Sequence, residues 1–210
     1  MITLYGCPNT RSSRVSWMLE ELNLPYEYSF VDFSKGGSQA PEFLAVTPAG
    51  KVPVLTDDDL LLTESAAIIN YLGDKYGNGD LIPKAGTAQR GLYDQWCHFA
   101  MSELEQPLWT IGKHKFALPS EHRVKEIFPT AAWEFQKALG LFSKGLGESP
   151  YILGDNFSAA DILLTQTLFW AISFKQEIPQ TNLQEYIERL RNRPALLKAK
   201  EREQAESNKE

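Results

Sequence analysis

Pro48-Ala49-Gly50-Lys51-Val52-Pro53-Val54-Leu55 and, a short way on, Leu62-Thr63-Glu64-Ser65-Ala66-Ala67-Ile68-Ile69-Asn70-Tyr71-Leu72 are the stretches whose reading decides the fold. A proline just ahead of a strand cannot donate to the ladder and restricts the residue before it. With a cis Val52-Pro53 bond, the Val52 N–H and C=O turn outward, where an extended peptide can pair with them as an added strand. Glu64 and Ser65 then open a helix. The free N–H groups at that helix end, together with the Ser65 hydroxyl, suit a carboxylate. Glu64 can take an α-ammonium, so the pair suits a ligand that carries both charges on one carbon.

Working outward, Met1 to Tyr5 reads as a strand. Ser12 to Leu24 carries Val15, Met18, Leu19 and Leu22 at helical spacing. Tyr26 to Val31 returns to strand composition. Val52 to Thr56 and Leu60 to Leu62 form a hairpin about an Asp57-Asp58-Asp59 turn. Glu64 to Tyr76 is helical, with Ala67, Ile68, Tyr71 and Leu72 on one face. Strand, helix, strand, hairpin and helix is the order of a thioredoxin-like α/β unit with a right-handed first crossover. The expected organisation is therefore a thioredoxin-like domain over 1–78, a linker over 79–86 rich in turn residues, and an all-helical bundle over 87–210. Helices are expected over Arg90–Phe116, Glu121–Lys144, Ser158–Ile172, Asn182–Arg193 and from Pro194 to about Gln204. The polar tail from Glu201 is expected to fray.

The bulk properties narrow the partners. The 210 residues carry a net charge of -6, which points away from nucleic acid or an anionic membrane, so an anionic ligand must be caught by local donors. No apolar run approaches the ~20 residues of a bilayer span, and no signal peptide is evident, so a cytoplasmic protein is expected. Cys7 and Cys97 then read as free thiols. His98, His114 and His122 lack metal spacing, and neither a metal nor a cofactor is expected.

Tyr151-Ile152-Leu153-Gly154-Asp155-Asn156-Phe157-Ser158-Ala159-Ala160-Asp161-Ile162 carries a second pattern, with Ser158 as N-cap and Asp161 as its N3 partner. The first pair of stretches closely resembles the glutathione-site signature of cytosolic glutathione transferases, and this one resembles the segment that opens a helix in that family's helical domain. The resemblance runs from Leu4 to about Leu197. It implies an enzyme that holds glutathione, as co-substrate, through Lys51, Val52, Pro53, Glu64 and Ser65, with Lys51 at the glycyl carboxylate. The bound thiol would act as thiolate on small apolar electrophiles.

The family places the glutathione sulfur beside the N-terminus of the first helix, next to a hydroxyl or a cysteine. In Tyr5-Gly6-Cys7-Pro8-Asn9-Thr10-Arg11-Ser12-Ser13-Arg14, three groups stay open. Thr10 falls where delta-like members carry their serine, and Arg14 falls on the arginine those members carry four residues later. Ser12 serves if the loop differs by a residue or two. Cys7, in Cys-Pro-Asn-Thr, resembles a glutaredoxin motif that lacks its second cysteine and would imply glutathione-dependent thiol or peroxide reduction. A non-catalytic binding or regulatory protein of the same fold is the third reading. Met101, Glu105 and Trp109 are the candidates to line a second-substrate pocket. The resemblance also implies a homodimer.

Overall fold

The structure is a computed structural model that describes residues 1–209. The chain forms two compact units, one of Met1–Ile82 with the segment from Arg191 onward, the other of Pro83–Leu190.

The first unit contains β1 (Ile2–Gly6), α1 (Ser12–Glu21), β2 (Tyr26–Phe30), α2 (Pro41–Val46), β3 (Val54–Asp57), β4 (Leu60–Thr63) and α3 (Ser65–Tyr76). The sheet order is β2-β1-β3-β4; β1 and β2 run parallel, and the other two pairings are antiparallel. Alternation along β1 sends Ile2 and Leu4 into a core with Val15, Met18, Leu19, Ile68, Ile69 and Leu72. Tyr5 goes to the opposite face, where it meets Phe43 of α2 at 6.1 Å between ring centroids. The sequence reading has no element at α2, because six residues are too few to show a period. It also misassigns one face of α3. Ile68, Ile69 and Leu72 are buried, Ala67 is exposed, and the Tyr71 hydroxyl donates to Asp57 at 2.7 Å.

The last helix, α9 (Pro194–Ser207), corrects two expectations. It belongs to the first unit rather than to the helical bundle, and it packs on α1 and β2. It also continues to Ser207 where fraying was expected, because its polar residues meet complementary groups. Lys198 Nζ lies 2.6 Å from Glu20, Arg193 Nη2 donates to Glu21 at 2.9 Å, and Arg202 Nη1 donates to the Tyr26 carbonyl at 2.9 Å. That last bond occupies a backbone acceptor on β2, an edge strand of this sheet.

The second unit is helical: α4 (Ala88–Phe99), α5 (Gln106–Gly112), α6 (Phe128–Leu146), α7 (Ala159–Ser173) and α8 (Thr181–Arg191). Two π-helical stretches, Ala100–Glu105 and Lys113–Ala117, flank α5 and extend the run from Ala88 to Ala117. Pro107 accounts for the first of them, since it removes one N–H from the ladder and crowds the carbonyl four residues back. The helix expected from Glu121 begins only at Phe128, after two short 3-10 turns, and Pro129 stands in its first turn. α7 is buried nearly all round, and its capping box forms as expected, with the Ser158 N–H donating to Asp161 Oδ2 at 2.8 Å. Asp161 also accepts from the Ser158 hydroxyl, the Ile152 N–H and the Tyr186 hydroxyl, at 2.8, 2.9 and 2.8 Å. Gly145 lets Trp96 lie against α6: a Cβ there would stand 2.2 Å from the indole ring.

Candidate functional site

Strand register brings the decisive stretches to one end of the sheet. Tyr5 pairs with Val54, and Val54 pairs with Thr63. The loop after β1, the Val52-Pro53 step into β3 and the Glu64-Ser65 step out of β4 therefore meet at the same edge. α1 and α3 both begin here, so two helix N-termini add their partial positive charge at this end. Backbone dipoles can therefore favour an anion at this end without a basic patch.

The Val52-Pro53 bond is cis. Val52 is half-buried, and among the described residues no hydrogen bond takes up its N–H or C=O. Lys51 is exposed beside it. Glu64 is exposed and holds φ 66°, a left-handed conformation uncommon for a residue with a Cβ and most often retained where a site requires it. Ser65 follows as the first residue of α3, 1% exposed. Its hydroxyl accepts from Arg14 Nη1 at 3.2 Å, and Arg14 is fully buried in α1. A guanidinium stays protonated even when buried, so this bond ties the two helix starts together and keeps a positive charge behind Ser65.

The Cys7–Ser12 loop is a closed hydroxyl ring. The Cys7 N–H donates to Ser12 Oγ at 3.0 Å, the Ser12 N–H donates to Thr10 Oγ1 at 3.2 Å, and the two hydroxyls lie 2.8 Å apart. The Cys7 carbonyl lies 2.7 Å from Thr10 Oγ1 and 2.8 Å from Ser12 Oγ. Ser12 is fully buried, whereas Thr10 and Cys7 are half-buried. Burial pushes the Cys7 thiol up, against a Phe33 N–H that pulls it down, so Cys7 favours the neutral thiol. Gly6 is needed beneath the ring: a Cβ there would stand 2.7 Å from the Tyr28 hydroxyl and 2.9 Å from Ser12.

Met101, Glu105 and Trp109 lie along the second unit's first long helical run, at four-residue spacing across a π stretch and α5. Glu105 is buried. Trp109 packs on Trp170 at 6.4 Å, and Trp170 stacks on Phe174 at 6.1 Å. No cluster of His, Cys, Asp and Glu among the described residues could hold a metal, and no described helix is long and apolar enough to cross a membrane. Two buried groups near the loop carried no signal in the sequence, Tyr28 and Glu203. Each lies on an element whose apolar period reveals nothing about which polar residue turns inward.

A thioredoxin-like unit followed by a helical unit defines the class of protein. The model of the glutathione S-transferase N-terminal domain matches residues 1–74, and that of the C-terminal domain matches residues 105–194. The chain is 32% identical to glutathione S-transferase GstB of Escherichia coli, over 94% of this chain and 97% of that one. It is 31% identical to the disulfide-bond oxidoreductase YfcG of the same species, over 95% and 96%. A glutathione transferase family member from Pseudomonas fluorescens, solved with two glutathione molecules bound, superposes with a TM-score of 0.83 at 30% identity, covering 95% and 92%. The chain belongs to the glutathione S-transferase family.

Proposed function

We propose that this protein binds reduced glutathione at the shared end of the sheet and activates its thiol for attack on small apolar electrophiles. The observation that carries the reading is the convergence of two helix N-termini, tied by Arg14 to Ser65, beside the open Val52 backbone. Ser65 and the α3 N–H groups take the γ-glutamyl carboxylate, and Glu64 takes the α-ammonium. Val52, set by Pro53, pairs with the peptide backbone, and Lys51 takes the glycyl carboxylate. The sulfur then lies at the α1 N-terminus.

Of the three thiol-side candidates, Thr10 fits best. The residue is partly exposed, and turning its hydroxyl away from the Cys7 carbonyl frees a donor for the sulfur. Ser12 is enclosed and serves the loop instead. Lowering a thiol pKa by two units takes about 2.7 kcal/mol, within reach of one charge-assisted hydrogen bond and a helix end. The thiol proton leaves to solvent, a carbon–sulfur bond forms, and the leaving group departs with its electron pair. Met101, Glu105 and Trp109 are the proposed second-substrate residues. Glutathione enters as co-substrate beside the electrophile, no further cofactor is part of the proposal, and a cytoplasmic homodimer completes it.

Calorimetry with reduced glutathione tests the reading. Saturable binding is expected, weakened about tenfold in Ser65→Ala, which loses one hydrogen bond to a charged group. No binding at millimolar glutathione overturns it. A second reading, thiol-disulfide exchange through Cys7, gains support from the similarity to the disulfide-bond oxidoreductase YfcG. Conjugation of a chloroarene is expected to fall about tenfold or more in Thr10→Ala and to persist in Cys7→Ser, since only the former removes the sulfur's proposed donor. A glutathione-dependent disulfide reductase activity that collapses in Cys7→Ser would establish the second reading instead.

A further inference from the structure

Against the start of α1, next to the thiol-side loop, stands an acid that the proposed chemistry does not use. Glu203, on α9, is 3% exposed. Its carboxyl accepts from the Ser13 hydroxyl at 2.9 Å and also from the Ser16 hydroxyl. Those serines occupy the first turn and a half of α1, the segment the Cys7–Ser12 ring leads into. Ser16 Oγ also lies 3.5 Å from the Ser12 carbonyl, which puts the carboxyl's serine one helical turn from the ring's anchor.

We infer that Glu203 is a positioning residue of the thiol site, which fixes the start of α1 through Ser13 and Ser16 and sets the charge against which a thiolate at the Cys7–Ser12 loop must form. Its geometry stands without glutathione; its bearing on substrate rests on the function proposed above. A carboxylate and a thiolate would compete for the same helix N-terminus, and each ionised form disfavours the other.

The surroundings make the competition fall near neutral pH. Burial pushes the Glu203 carboxyl up to about 7, against the two serine donors and the positive charge of Lys200, its neighbour on α9. From β2 the groups that sense it are Tyr26 and Tyr28, both pushed upward chiefly by burial and so uncharged, and from the loop it is Cys7. On α1 the other two carboxylates are occupied, Glu20 by Lys198 and Arg202 and Glu21 by Arg193. Glu203 sits above its unfolded value, so the favoured protonated form is fully present at low pH. The buried charge then develops as the pH rises through about 7.

Cys7 serves as a probe already in place. The pH dependence of its alkylation by iodoacetamide reads the field at the loop without any ligand, and Cys97, buried and pushed up to about 12, stays silent. In Glu203→Gln the apparent Cys7 pKa is expected to fall by about half a unit, because a like charge has been removed. The thiol of bound glutathione, followed by thiolate absorbance, should shift the same way. Glu203→Ala loses the serine contacts as well, so its glutathione affinity should drop severalfold, and glutamine should recover most of that loss but not the pH profile. An unchanged Cys7 titration in Glu203→Gln overturns the electrostatic part. Wild-type affinity in a folded Glu203→Ala overturns the positioning part. If the wild type binds no glutathione, the functional reading fails, and the Cys7 titration still decides this inference.

Discussion

Replacing Asp161 with alanine should lower folding stability by about 3–5 kcal/mol, the combined cost of several buried donors left without their acceptor. The carboxylate accepts from two backbone N–H groups and two hydroxyls, all near 2.8–2.9 Å, and is itself fully buried. Alanine removes the acceptor and orphans the Ile152 and Ser158 donors, while the Tyr186 hydroxyl is left with Thr165 as its remaining neighbour. Each orphaned donor costs about 1–3 kcal/mol where water cannot enter. A lost N-cap alone would cost only about 1 kcal/mol, so the excess separates the two roles. Asp161→Asn should fall between them, because its amide oxygen can satisfy one side of the cluster while its NH2 group opposes the other. Urea denaturation gives the comparison. A loss below about 1 kcal/mol for alanine would show that the cluster matters no more than a cap.

The second large effect is expected at Arg14. Methionine keeps much of the side-chain volume while removing the charge and the donor to Ser65. Glutathione affinity in Arg14→Met should fall by about 10- to 100-fold, or about 1.4–2.8 kcal/mol, as expected for a lost charge-assisted hydrogen bond and an unheld hydroxyl at a carboxylate site. Arg14→Lys keeps the charge without the planar fork and should recover part of the loss. Titration calorimetry on folded variants measures both. An unchanged dissociation constant in Arg14→Met would mean that Ser65 is oriented by α3 alone.

Both predictions concern buried polar groups, and these were unequally legible in the sequence. Asp161 announced itself through its three-residue spacing from Ser158, a pattern within one helical turn. Its further partner Tyr186 did not, being on another helix. Arg14 was visible only by its place relative to Thr10, and nothing nearby showed that its guanidinium runs to Ser65. The Met101, Glu105 and Trp109 stripe followed from helical spacing. Spacing could not show that Glu105 is buried or that Pro107 opens the helix into a π stretch.

The C-terminal helix shows the limit most clearly. Its composition is polar enough to read as a frayed tail, because sequence alone leaves a charged residue without its counterpart. In the folded chain the counterparts lie on α1 and β2, and Glu203 meets Ser13 across 190 positions.

By itself, the sequence determined the thioredoxin-like order of elements, the proline step and the helix start that meet at one end of the sheet, and the capping box of α7. All of these are written in short-range spacing, where backbone geometry dictates the residue type. Only the tertiary structure decided which hydroxyl of the Cys7–Ser12 loop is enclosed, which helix closes the first unit, and which acid stands at the start of α1. Those outcomes depend on desolvation, and a side chain is desolvated by whatever packs against it, not by its neighbours in the chain.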